Sequence, residues 1–110
     1  MKTVHGVQFL DKLTNRIITS SPYAHQDANE VRAWTATGEL VVAVSRSYLY
    51  YPGETTSDSG WTEYFWSISG SDMLPDWTNQ AEQEFSSWRD AMEYALAAME
   101  IPVTELDNVL

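Results

Sequence analysis

The chain has 110 residues, 44% of them hydrophobic, with five Trp, six Tyr and three Phe. This is the opposite of the composition of disorder, and it predicts one folded domain over residues 1–110 with a single core. Sixteen acids against six bases give a net charge of −10, and the lack of cysteine excludes a disulfide framework, a thiolate nucleophile and a Cys-based zinc site.

Val4 to Leu10 and Arg16 to Thr19 read as short strands of a first hairpin, with a polar turn from Asp11 to Asn15. Ser20-Ser21-Pro22 breaks the chain and Tyr23 to Asn29 reads as a loop. Val31 to Ala36 and Leu40 to Ser45 form a second predicted hairpin around Thr37-Gly38-Glu39, its second strand continuing through Tyr48-Leu49-Tyr50-Tyr51 until Pro52-Gly53. After the loop from Glu54 to Gly60, Trp61 to Ile68 reads as an aromatic strand. Alternation sets Tyr64, Trp66 and Ile68 on the face expected to meet the helix.

Trp88, Ala91, Met92, Ala95, Leu96 and Met99 recur with helical spacing, so a helix is predicted there, N-capped by Ser87 or Ser86 and bounded by Pro102. Its outer face carries Arg89, Asp90, Glu93, Tyr94, Ala97 and Glu100. The tail from Val103 is expected to be a short strand or a loose end. The fold class that follows is α+β: an antiparallel meander of about four or five strands with one principal amphipathic C-terminal helix on one face.

The charge is unevenly placed. Residues 1–46 hold four acids and five bases, a net of +1, whereas residues 47–110 hold twelve acids and Arg89 alone, a net of −11. Such a field repels phosphates, so direct nucleic-acid binding is not expected, and it attracts a basic partner surface. The stretch of ~18 apolar residues that spans a membrane is missing, and no apolar run follows Lys2, so neither insertion nor export is expected. Together with the missing cysteines this points to the cytoplasm, the host's if a phage encodes the chain.

Motifs for chemistry are scarce. Gly6, Gly38, Gly53, Gly60 and Gly70 stand apart and form no phosphate-binding loop, and no Gly-x-Ser-x-Gly occurs. His5 and His25 read as structural, and no cofactor is expected. Glu54 and Asp58 share a loop whose spacing does not match an EF-hand, so no metal is assigned. The Asp90/Glu93 and Glu82/Glu84 carboxylate pairs read as solvated faces, which leaves no catalytic group.

The candidate binding site is the connection from Gly70 to Glu84. Here Asp72, Asp76, Glu82 and Glu84 surround Leu74 and Trp77, an acidic rim about apolar anchors that suits a basic protein surface. Glu54 and Asp58 extend the acidic surface. The competing reading puts Met73, Leu74 and Trp77 under the loop as part of the core, with a short helical turn between Pro75 and Glu84. The aromatic strand is read as core as well.

The leading functional expectation is a non-catalytic inhibitor that occludes the basic, nucleic-acid-binding surface of an enzyme or complex. Small phage anti-defence proteins, such as anti-CRISPR and anti-restriction proteins, share this profile of size, acidity and missing motifs, as do toxin-immunity proteins. None of their motifs falls on numbered residues here. The alternatives are a small-ligand module that uses the aromatic strand, and an assembly subunit, for instance a homodimer or a phage-particle component.

Overall fold

The computed structural model describes residues 4–11, 16–17 (backbone alone), 28–55, 57 and 59–109. The expected turn at 12–15, the residues Ile18 and Thr19, the break at Ser20-Ser21-Pro22, the loop from Tyr23 to Asp27, His25 and Asp58 lie outside the described residues.

Five strands form one antiparallel sheet: β1 (Gly6–Asp11), β2 (Arg16–Ile17), β3 (Glu30–Trp34), β4 (Leu40–Tyr51) and β5 (Trp61–Gly70), in the spatial order β2-β1-β3-β4-β5. The four longer strands follow one another as a meander, and β2 pairs on the outer side of β1. Among the described residues three helices accompany the sheet in this α+β fold: α1 (Trp77–Gln80), α2 (Trp88–Ala98) and α3 (Thr104–Asp107).

The turn between β3 and β4 forms where the sequence places it. Thr35 N–H donates to the Glu39 carbonyl (2.9 Å), Gly38 N–H to the Thr35 carbonyl (3.1 Å) and Glu39 N–H to Thr35 Oγ1 (3.0 Å). Gly38 adopts φ +86°, a conformation that costs glycine little and a residue with Cβ much more.

Pairing of Phe9 with Val31, Val31 with Val44, and Val44 with Ile68 aligns these side chains on one sheet face, together with Val7, Ala33, Val42 and Trp66. Helix α2 covers this face. Its Ala91, Met92, Ala95 and Leu96 are fully buried against Val31, Val42, Val44 and Ile68, and the Trp88 ring meets Phe9 edge-on at 5.3 Å and 87°. Burying a side chain of this size stabilises by ~1.5–3 kcal/mol, which makes this layer the main source of stability. The opposite face is more polar: Trp34 Nε1 donates to Gln8 Oε1, Arg32 pairs with Glu30 at 2.7 Å, and Ser45 donates to Ser69 Oγ at 2.8 Å.

Both serines proposed as the cap of α2 are used. Ser87 Oγ accepts from the Asp90 N–H (3.1 Å), while Ser86 Oγ donates to the Asp90 carboxylate (3.0 Å). At the other end Glu100 takes φ +58°, its N–H donates to the Ala97 carbonyl, and Ile101 N–H reaches the Leu96 carbonyl (2.9 Å). This is a Schellman ending with glutamate in the left-handed position, and Ile101 enters the core beside Leu96.

The tail is neither strand nor loose end. Helix α3 buries Leu106 completely, and Arg89 holds it by bonding Asp107 while also pairing with Glu93 at 2.9 Å. A lone amphipathic turn with one buried leucine leaves no periodicity long enough to read in sequence. Tyr94, expected on the outer face of α2, instead packs on Phe85 (5.3 Å), and its hydroxyl bonds Gln80 Oε1 (2.7 Å) and Gln83 Nε2 (2.8 Å).

Candidate protein interface

The residues from Gly70 to Glu84 close the end of the sheet. Ser71 Oγ donates to the Val41 carbonyl (2.6 Å) and accepts from the N–H groups of Met73 (3.0 Å) and Leu74 (2.8 Å). Leu40 N–H donates to Asp72 Oδ2 (2.9 Å), and Asp72 N–H returns a bond to the Leu40 carbonyl (2.9 Å). Asp72 thus extends the ladder at the start of β4. Asp76 sits at φ 55° before α1, with its carbonyl accepting from Asn79 and Gln80.

Of the two readings of this loop, the one that puts Met73, Leu74 and Trp77 under it beside a short helical turn is what the structure shows, with α1 as that turn. Leu74 is 5% exposed in the core, and Trp77 is half-buried against that core with Met73. The chain buries this apolar surface in its own fold. Asp72, Asp76, Glu82 and Glu84 are exposed, as is Glu54. The loop therefore contributes charge to the surface and takes its apolar residues inward.

The large exposed apolar surface lies on β4 and β5. Strand β5 has ten residues and α2 has eleven, yet a strand rises more than twice as far per residue, about 33 Å against about 16 Å. A helix of this length is too short to cover a strand of that length, and along β5 Trp66 and Ile68 are buried while Tyr64, which shares their face, is 63% exposed. Past this point β4 and β5 continue as a two-stranded arm, and the molecule measures 56 × 33 × 21 Å. Among the described residues the exposed large hydrophobic side chains are Tyr48, Leu49, Tyr50, Tyr51, Trp61 and Tyr64, all on this arm.

The arm has two distinct faces. Tyr48 and Tyr64 pair across the strands with ring centroids 6.4 Å apart, and the Arg46 guanidinium lies 5.6 Å from the Tyr64 ring and 5.7 Å from the Trp66 ring. On the other face Tyr51 stacks on Trp61, and the Tyr51 hydroxyl donates to Glu63 (3.3 Å). Partial desolvation first, then Glu63 and to a smaller degree Glu84, hold the Tyr51 hydroxyl above the ordinary tyrosine value of 10.0. Negative charge thus borders the aromatic surface on this side.

At the tip the chain returns through Gly60, whose φ of +76° and near approach to the Tyr51 carbonyl exclude a side chain. Tyr50 also clamps the loop, its hydroxyl donating to the Ser59 carbonyl (3.1 Å).

Sequence reasoning assigned the aromatic strand to the core and so missed the arm. The usable sign was the run Tyr48-Leu49-Tyr50-Tyr51, which places large side chains on both faces of one strand. One helix and one sheet cannot cover both faces along twelve residues.

Among the described residues no group of three His, Cys, Asp or Glu side chains converges as a metal site, and no helix is long and apolar enough to cross a membrane. No family model, curated protein or solved structure matches the chain.

Proposed function

We propose that the protein is a non-catalytic recognition module that docks on a basic surface of a partner protein through the aromatic arm of β4 and β5. The observation that carries this reading is the gathering of Tyr48, Leu49, Tyr50, Tyr51, Trp61 and Tyr64 on one exposed arm. Tyr48, Tyr50 and Tyr64 lie on one face of the arm and Leu49, Tyr51 and Trp61 on the other; clustered exposed apolar surface marks interaction sites, and Tyr and Trp are the side chains that most often dominate binding energy.

The charge selects the partner. Glu63 stands on the arm, Glu54 in its loop, and Glu84 beside Phe85, which hydrogen-bonds β5. Asp76 and Glu82 add to the same negative half of the chain. Of the arginines with described side chains, Arg32 and Arg89 are held in ion pairs and Arg46 lies over two rings. A Lys- and Arg-bearing protein surface is steered toward such a field, while nucleic acid itself is repelled. Nucleic-acid-handling proteins present surfaces of this chemistry, so occupation of one would make this chain an inhibitor.

The test is capture of the partner on immobilised protein, followed by titration of the purified complex with salt and with duplex DNA or RNA. A basic partner that is released by salt and displaced by nucleic acid is expected. An acidic partner, or a complex indifferent to both, would refute the reading.

A further inference from the structure

We infer that the outer edge of β5 from Trp61 to Tyr64 accepts an extended segment of the partner as an added strand, one in which lysine or arginine alternates with apolar residues. This rests on the arm being the partner-binding surface and specifies how it binds.

The direction of the backbone groups follows from Phe85. Trp66 N–H donates to the Phe85 carbonyl and Phe85 N–H donates to the Trp66 carbonyl, both at 2.8 Å. The polar backbone groups of Trp66 therefore point away from β4. In an antiparallel ladder every second residue faces the same way, and the pairing from Arg46 with Trp66 to Tyr51 with Trp61 runs without a shift. Tyr64 and Thr62 consequently point their N–H and C=O groups outward too.

Continuing the Phe85 bridge in antiparallel register would bring Ser87 opposite Tyr64. Ser87 is instead the N-cap of α2, and the chain turns away there. Among the described residues nothing pairs with the outward groups of Tyr64 and Thr62. Open edges of soluble proteins are commonly guarded by charged side chains, proline or a bulge; Trp61-Thr62-Glu63-Tyr64-Phe65 has no proline or bulge, and its one charge, Glu63, is a guard against an acidic strand and not against a basic one. Two donors and two acceptors are left in the arrangement that strand addition uses.

Charge and face decide the occupant. A second copy pairing β5 with β5 would bring together two chains of net charge −10, with a Glu63 on each edge. A basic segment is attracted instead. Its residue opposite Glu63 shares the face of Tyr51, Trp61 and Glu63, where lysine or arginine finds an opposite charge across the strands. The residues on either side fall on the face of Tyr64, where Arg46 disfavours a cation and the Tyr48–Tyr64 pair offers apolar contact.

The experiment uses the full chain and a short capped peptide of alternating lysine and valine, with amide hydrogen exchange followed residue by residue. At about ten times the peptide's Kd, exchange at Thr62 and Tyr64 should slow by about tenfold. The same peptide N-methylated along one edge, and an alternating glutamate–valine peptide, should not bind. Thr62→Pro removes one outward N–H while sparing the ladder to β4, and should abolish protection at Tyr64. Binding that survives N-methylation and leaves Thr62 and Tyr64 unprotected would overturn strand addition while leaving side-chain docking by the arm in place. Absence of binding by the lysine–valine peptide would also overturn it, whereas the arm's role itself stands or falls with the captured partner.

Discussion

Tyr51 and Trp61 close the β4–β5 arm as a stacked pair, with ring centroids 4.0 Å apart and planes 15° from parallel across the last register position of the two strands. An isolated two-stranded ribbon is marginal in water, so cross-strand pairs of this kind decide whether the arm stays formed. Trp61→Ala removes the stack, which is worth about 0.5–1.5 kcal/mol, and should speed amide exchange at Leu49 and Glu63 by about two- to tenfold. Exchange at Val44 and Leu96 should be unchanged, because the stack lies outside the core.

The Tyr51 hydroxyl adds a pH dependence. Its folded pKa lies above the ordinary 10.0, so the folded arm favours the protonated phenol. The sign follows from linkage: this contribution is fully present below pH 10.0 and is lost as pH rises through the raised folded value. Ultraviolet titration of wild type against Tyr51→Phe should assign a late-ionising tyrosine to Tyr51. Glu63→Gln should move its midpoint downward without restoring it fully, since desolvation is the larger cause. An unmoved midpoint would remove Glu63 from the explanation.

Two glycines with positive φ should respond differently to alanine. At Gly60 an added Cβ would lie 2.4 Å from the Tyr51 carbonyl oxygen and 2.9 Å from the Gly53 nitrogen, both backbone atoms, while at Gly38 nothing lies within 4 Å. Gly38→Ala should cost only the left-handed backbone penalty, about 1–2 kcal/mol, readable in the thermal midpoint. Gly60→Ala adds a backbone clash, so it should displace the tip of the arm and accelerate exchange at Tyr51, whose N–H faces β5, more than Gly38→Ala does at its own turn.

Leu74 distinguishes a core residue from a surface anchor. Buried among the core side chains, it should cost about 2–5 kcal/mol when changed to alanine, measured by denaturant unfolding. The affinity of the folded fraction for its partner should be unchanged. A stable Leu74→Ala protein that binds weakly would restore Leu74 as a contact.

Much of the fold was legible because it depends on local rules. The β3–β4 hairpin follows from β-favouring segments on either side of Thr37-Gly38-Glu39, and α2 from apolar spacing behind a serine cap. What escaped was set by the match of lengths and by competition for the core. Burial of Leu74 was one of the two readings of its loop, but nothing local says that Tyr48 and Tyr64 stay outside the core. The acidity was legible in full, but its neighbours were not. Sequence placed it around Leu74 and Trp77, whereas Glu63 and Glu84 border the aromatic pair of the arm, as the raised Tyr51 pKa reflects.

The most direct measurement compares the affinity of the captured partner for wild type, for Tyr48→Ser/Tyr50→Ser/Trp61→Ser, and for Asp76→Ala/Glu82→Ala/Glu84→Ala, with thermal unfolding of each. If the arm supplies the contact, the first variant keeps the core transition and loses at least about tenfold in affinity, in line with buried aromatic hot spots. The second should lose mainly association rate and salt sensitivity. Full affinity in the arm variant, with binding lost in the acidic one, would contradict the assignment and return the interface to the loop before α2.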